Sequence, residues 1–302
     1  MTHFADRLAA LVEERRSRVV LGLDPDPGSL WPLALDGVED SDGEPAERAA
    51  RAIVVHCGAA IEAAGPSCVA VKLQFACFER LGAPGWSALE RVRDIAGSAG
   101  LLVIADAKRA DVPVTARAYA QGLIGSTPSP FGTIEGFGAD ALTANPLLGR
   151  DSLEPLIEAA SGAGAGVFCL VNTSNPGAAD LQDLDVGGAP LYERIAEMVQ
   201  ASGADEVGEC GLSLVGAVTG ATRPERLGRL RELMPRAVFL LPGVGAQGGD
   251  PEALGPAFAP HPAAGLVAAS RSIVDAYRDT GGDPLLAARA AAEDLRALTW
   301  NK

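Results

Sequence analysis

A chain of 302 residues, 48% of them hydrophobic, can bury a large core and falls within the size range of one α/β barrel domain. Its formal net charge of −14 excludes a general affinity for nucleic acid or anionic lipid, since both are held through dense Lys and Arg clusters. An anionic ligand must therefore be captured by a local group of basic residues.

The amino terminus sets Phe4, Leu8, Leu11 and Val12 at helical spacing among Asp6, Glu13, Glu14, Arg15 and Arg16, without the apolar centre of a signal peptide. No apolar run reaches the roughly 18 residues that a membrane span requires, so the expectation is a cytoplasmic protein with no membrane partner. The five cysteines, Cys57, Cys68, Cys77, Cys169 and Cys210, are widely spread and never spaced as CxxC. That pattern indicates neither a disulfide framework nor a zinc site and fits buried, reduced thiols.

Short runs rich in β-branched residues and Leu then recur at 18–23, 68–73, 101–105, 139–144, 166–171, 212–218, 237–241 and 265–269. Most are nearly continuous in apolar character, as expected of strands covered on both faces, and most intervening segments are long enough for a helix. Eight βα units predict a closed (β/α)8 barrel forming a single domain over 1–302, with an open doubly wound sheet as the alternative. Residues 25–47, rich in Pro, Gly, Asp and Glu, and 122–138, rich in Gly, Ser, Thr and Pro, read as long surface loops.

In a parallel barrel the active site lies at the carboxyl ends of the strands, and these ends are unusually polar here. They lead into Asp24, Lys72, Asp106 with Lys108 and Asp111, Thr143 with Asn145, Asn172 with Ser174, Thr219, 242–249, and Ser270 with Arg271. Of 25 basic residues only Lys72, Lys108 and Lys302 are Lys, so a chain that otherwise writes Arg keeps Lys at two strand ends. An ammonium is a compact charge that can give up a proton, whereas a guanidinium effectively never does. The pair therefore points to proton transfer or Schiff-base chemistry, with a structural ion pair to Asp106 as the plainer reading.

The segment Asp106-Ala-Lys108-Arg-Ala-Asp111 places Asp106 and Lys108 on one side of an extended strand, and Lys72 from the preceding run completes a Lys-Asp-Lys-Asp array. An ammonium flanked by carboxylates is an acid rather than an imine-forming nucleophile. Across the barrel, the glycine-rich stretch 242–249 and Ser270-Arg271 follow the seventh and eighth runs, where barrels often bind phosphate. Glycines let backbone N–H groups approach the phosphate, and Arg271 offers a bidentate fork. A glycine-rich loop alone is more often a plain turn than a site, and its place after the seventh and eighth runs is what favours phosphate.

Asp106-Ala-Lys-Arg-Ala-Asp111 with Thr115 four residues on resembles the DxKxxDxxxT signature of the orotidine 5′-phosphate decarboxylase family. The likeness extends over most of the chain, through Leu23-Asp24, Val71-Lys72, Thr173-Ser-Asn-Pro-Gly177, 242–249 and Arg271-Ser-Ile273. Asn-Pro-Gly after the serine, with the longer loops, is similar to the family's longer bacterial branch. The resemblance implies decarboxylation of orotidine 5′-phosphate to uridine 5′-phosphate, the last step of de novo UMP synthesis, without a cofactor or metal. It implies Lys108 as proton donor to C6 of the pyrimidine and Asp106 beside the substrate carboxylate. Asp111 and Thr115 would reach into the neighbouring subunit's site of a homodimer. Asp24 and Lys72 would contact ribose hydroxyls, Ser174 would read the pyrimidine amide edge, and Gln247 with Arg271 would hold the phosphate. One departure is Ser270, where many relatives place Gly before the arginine.

Two rivals remain at this stage. Metal-dependent sugar-phosphate relatives share DxKxxD but carry an acid where this chain has Lys72, and a cation there would face an ammonium. A non-catalytic barrel that binds nucleotide monophosphates is the other, because a fold alone does not fix a function.

Overall fold

A computed structural model describes residues 2–36, 38, 42–245 and 248–301. Its eight barrel strands are β1 (Val19–Leu23), β2 (Ala70–Gln74), β3 (Leu102–Arg109), β4 (Ala141–Ala144), β5 (Gly166–Asn172), β6 (Val215–Thr219), β7 (Phe239–Pro242) and β8 (Gly265–Ala269). Every neighbouring pair is parallel, and β1 pairs with both β2 and β8, so the sheet closes on itself and the open-sheet alternative is excluded. Each predicted apolar run overlaps one of these strands, and the third strand runs four residues beyond its run, to Arg109. Their residues are almost all buried because helices cover the outside and side chains fill the inside.

Local sequence explains where the outer helices begin. Pro45, Pro113 and Pro284 each open a helix at a position whose N–H would have no intrahelical partner. Glu44 and Glu47 form a reciprocal capping box before Pro45–Ala64, and Asp283 accepts from the Leu285 N–H before Pro284–Trp300. The connection from β7 to β8 is different: Pro251–Phe258 is 3-10 helix with Pro256 inside it, which cannot donate to an α-helical ladder.

The N-terminal mouth of the barrel is plugged by the predicted first helix, Phe4–Arg15. Phe4 stacks edge-on against Phe168, and a Cβ on Gly166 would stand 2.5 Å from its ring, so that glycine is the space the plug occupies. Arg15 donates to the carbonyls of Gly65, Cys68, Ala99 and Gly100 just before β2 and β3. Arg18 is buried between the rings of Phe258 and Trp300, 4.1 and 5.2 Å from their centroids, and ties the last helix to β1. The cavity lies at the opposite end, among the C-terminal ends of the strands.

Both predicted loops contain order that their composition hides. Within 122–138 an antiparallel hairpin pairs Ser126–Ser129 with Gly132–Glu135. Its second strand is exposed throughout and its first is only half-buried, so it has no buried face to produce an alternating apolar pattern. Within 25–47, Trp31 is fully buried, donates its indole N–H to the Val274 carbonyl and meets His56 edge-on at 5.2 Å.

His56 accepts the Trp31 backbone N–H at Nδ1, and burial pushes its pKa down to about 4. The folded value lies below the unfolded one, about 6.5, so the unfolded chain binds more protons between those values. Stability is therefore expected to be complete above pH 6.5 and to fall by up to about 3 kcal/mol as pH drops toward 4. His56→Gln should flatten that part of a urea-midpoint profile against pH, and an unchanged slope would assign the loss to other groups.

Candidate active site

The site is built from side chains two residues apart on adjacent strands, which the two-residue period aims at the same side. Lys72 and Gln74 leave β2, Asp106 leaves β3 directly opposite Gln74, and Asp24 follows the end of β1. Asp106 is 6% exposed and both of its oxygens are fully engaged. Oδ2 accepts from Lys72 Nζ at 2.6 Å and Gln74 Nε2 at 3.3 Å, while Oδ1 accepts from Lys108 Nζ at 2.6 Å and Thr143 Oγ1 at 2.9 Å.

These contacts set the charges. Burial alone would push the Asp106 carboxyl up, but the ammonium groups of Lys72 and Lys108 and their hydrogen bonds outweigh it and hold the carboxyl at about 2. Burial likewise disfavours a charged Lys72, yet Asp106 and, 3.8 Å away, Asp24 outweigh it and raise its pKa above the ordinary lysine value.

Lys108 is one of two non-glycine residues with positive φ among those described, at φ 48°. The strand alternation that predicted its direction is interrupted there, because the β3–β4 register shifts between Ala105 and Arg109. A left-handed lysine costs on the order of 1–2 kcal/mol and persists only where its surroundings over-determine it. Here they do: the Lys108 N–H donates to Thr143 Oγ1 at 2.9 Å, and the Asn145 N–H to the Arg109 carbonyl at 3.0 Å. Arg109 itself is held by Glu79 and lies over the Tyr119 ring. The bulge re-aims Lys108 so that its ammonium returns to Asp106, with its side chain still 45% exposed to the cavity mouth.

The cavity above these groups has a volume of about 790 Å³. Leu170, Val218, Leu240 and Ala268, one from each of β5 to β8, supply an apolar side facing the charged one. Arg271 and Ser270 stand at the rim beside Gly243. Ser270 has room because of Gly22: a Cβ there would lie 1.8 Å from Ser270 Oγ, so the serine of this chain fills the place of a side chain missing from β1.

Of the predicted residues, Asp24, Lys72, Asp106, Lys108, Ser174 and Arg271 therefore line one cavity. Asp111 and Thr115 do not. Asp111 accepts its neighbour Val112's N–H, and Thr115 is exposed on the helix Pro113–Leu123. Within one chain the expected Lys-Asp-Lys-Asp array is thus Asp24, Lys72, Asp106 and Lys108, without Asp111. Gln247 lies outside the described residues. Sequence reading missed Gln74, which its position two residues after Lys72 should have revealed, and Gln182, which lines the cavity from the end of a four-residue helix with no local signature. It noted Thr143 but not its double hydrogen bond.

A model of the orotidine 5′-phosphate decarboxylase / HUMPS family matches residues 18–288. The chain belongs to this family. An orotidine 5′-phosphate decarboxylase of Rhodopirellula baltica is 41% identical over 281 residues, 92% of this chain and 90% of that one. One of Deinococcus radiodurans is 39% identical over 294 residues, 97% of this chain and 95% of that one. The structure of Leishmania donovani OMP decarboxylase aligns with a TM-score of 0.73 at 31% identity, covering 99% of each chain.

For this family member the fixed point of the array is Thr143. Thr143→Val keeps the shape but leaves the Lys108 N–H and Asp106 Oδ1 each short of a partner. A loss of about 1–3 kcal/mol in a urea titration is expected. A variant as stable as wild type would show that the hydroxyl does not anchor the bulge.

Proposed function

We propose that the chain, as one barrel domain in the cytoplasm, decarboxylates orotidine 5′-phosphate to uridine 5′-phosphate in UMP synthesis, with Lys108 as the group that stabilises and protonates C6. The observation that carries this reading is the Asp106 carboxylate held between two ammonium groups at 2.6 Å, in a cavity that Arg271 also lines.

Loss of CO2 leaves the electron pair of the broken bond on C6, in the ring plane and out of conjugation with the π system. A fixed ammonium at Lys108 lowers the energy of that charge as it develops and then transfers one proton to it. The resulting amine regains its proton from solvent. Asp106 positions Lys108, and Lys72 with Asp24 is placed for ribose hydroxyls. Arg271, with Gln247, is the proposed phosphate holder, and Ser174 the reader of the pyrimidine amide edge. Phosphate binding remote from C6 supplies energy for closing loops over the base.

The family name spans HUMPS members as well, and Lys72 favours the decarboxylase branch, because its ammonium would oppose a cation beside Asp106. Among the described residues, no three His, Cys, Asp or Glu side chains gather as a metal site, and no helix is long and apolar enough to cross a membrane.

The direct test is an ultraviolet assay for loss of orotidine 5′-phosphate with and without EDTA, with Lys108→Arg as the companion variant. Wild type should be active in chelator and Lys108→Arg nearly inactive, because its charge cannot be delivered as a proton. Arginine activity within about tenfold of wild type would contradict the assignment of the donor.

The same proposal includes a homodimer in which Asp111 and Thr115 complete the neighbour's site. Their position outside the cavity supports it, as do the apolar neighbours in the same segment: Val112 is 56% and Val114 84% exposed. Mixing inactive Lys108→Ala and Asp111→Ala chains should restore activity, because a hybrid dimer has one site with both residues intact. No recovery despite proven subunit exchange would mean that the sites share no residues.

A further inference from the structure

The segment after β5 carries Ser174, and its path is fixed by one side chain outside the charged array. Gln182, at the end of the short helix Ala179–Gln182, folds back over it. Its Oε1 accepts from the buried Asn172 Nδ2 at 3.2 Å and from the Thr173 N–H at 2.9 Å. Its Nε2 donates to Thr173 Oγ1 at 2.8 Å, and that hydroxyl donates to Asn175 Oδ1 at 2.7 Å. One amide thus holds the two residues before Ser174, and the Thr173 hydroxyl carries the link on to Asn175 after it.

Two further contacts give the clamp something to hold against. Asp183, next in the chain, receives a bidentate pair from Arg226 at 2.7 and 2.9 Å, which ties the helix to the segment after β6. On the opposite side Gly220 lets the Ser174 backbone approach: a Cβ there would meet its N and Cα at 2.9 Å. Thr222 Oγ1 donates to the Ser174 carbonyl at 3.4 Å.

We propose that Gln182 is a positioning residue: by clamping Thr173 and Asn172 it sets where Ser174 stands, and so sets the selectivity of the site for the uracil edge. The inference rests on the reading of Ser174 given above. Gln182 does not act on C6, so its loss weakens recognition of the base more than the rate of the bound substrate.

The test compares wild type, Gln182→Met, which keeps the length but makes none of these bonds, and Gln182→Glu, which keeps the acceptors and loses the donor. The readouts are kcat and KM with orotidine 5′-phosphate, and inhibition by UMP, CMP and inorganic phosphate. Gln182→Met should raise KM and lower the preference for UMP over CMP, each by about tenfold, with phosphate inhibition and kcat changed far less. Gln182→Glu should fall between, and it decides the matter if the methionine variant does not fold. In a Ser174→Ala background, Gln182→Met should cost less than about a further twofold, because an effect that runs through Ser174 is already lost. Multiplying penalties, or an unchanged UMP-to-CMP ratio in an active enzyme, would overturn the clamp. A wild type that does not decarboxylate the substrate would instead overturn the functional reading beneath it.

Discussion

The Asp106 carboxylate and Lys72 keep each other charged, and Lys108 takes the carboxylate's other oxygen. Buried alone, Asp106 would take up a proton and Lys72 would lose one. Paired at 2.6 Å, Asp106 and Lys72 remain ionised in a setting that excludes most water. A buried ion pair of this kind is weak support for stability, since desolvation offsets much of its attraction. Its consequence is geometric: Asp106 accepts the Lys108 ammonium at 2.6 Å and so marks where it stands. The rest of the site is arranged around that point.

The backbone pays the strain of the arrangement at one residue. Lys108 adopts a left-handed conformation at the end of β3, and Thr143 from β4 joins that strain to the carboxylate by accepting the Lys108 N–H and donating to Asp106. A single hydroxyl therefore couples the main chain of the proton donor to the group that orients its side chain. The coupling is only possible because β3 and β4 slip in register there.

The two sides of the cavity divide the proposed work. Cations and acids come from β1 to β3, an apolar wall comes from β5 to β8, and Arg271 lies where the last strand ends. Gly22 and Ser270 show how closely these sides meet, since the serine occupies the space of an absent side chain on β1.

The sequence by itself determined the eight strands, because both-face burial leaves continuous apolar runs that local composition reports. It also singled out Lys72, Asp106, Lys108 and Arg271, which the structure brings to one cavity, since in a closed parallel barrel every strand end points to one mouth. Tertiary structure alone decided that Asp24 rather than Asp111 completes the array within one chain, that Gln74 and Thr143 share Asp106, and that Gln182 reaches back to Thr173. It also decided the hairpin 126–135, whose strands have no buried face to mark them. The reason is the same in each case. These contacts depend on register between strands and on how a loop folds over its neighbours, and both are set by packing between residues far apart in the chain.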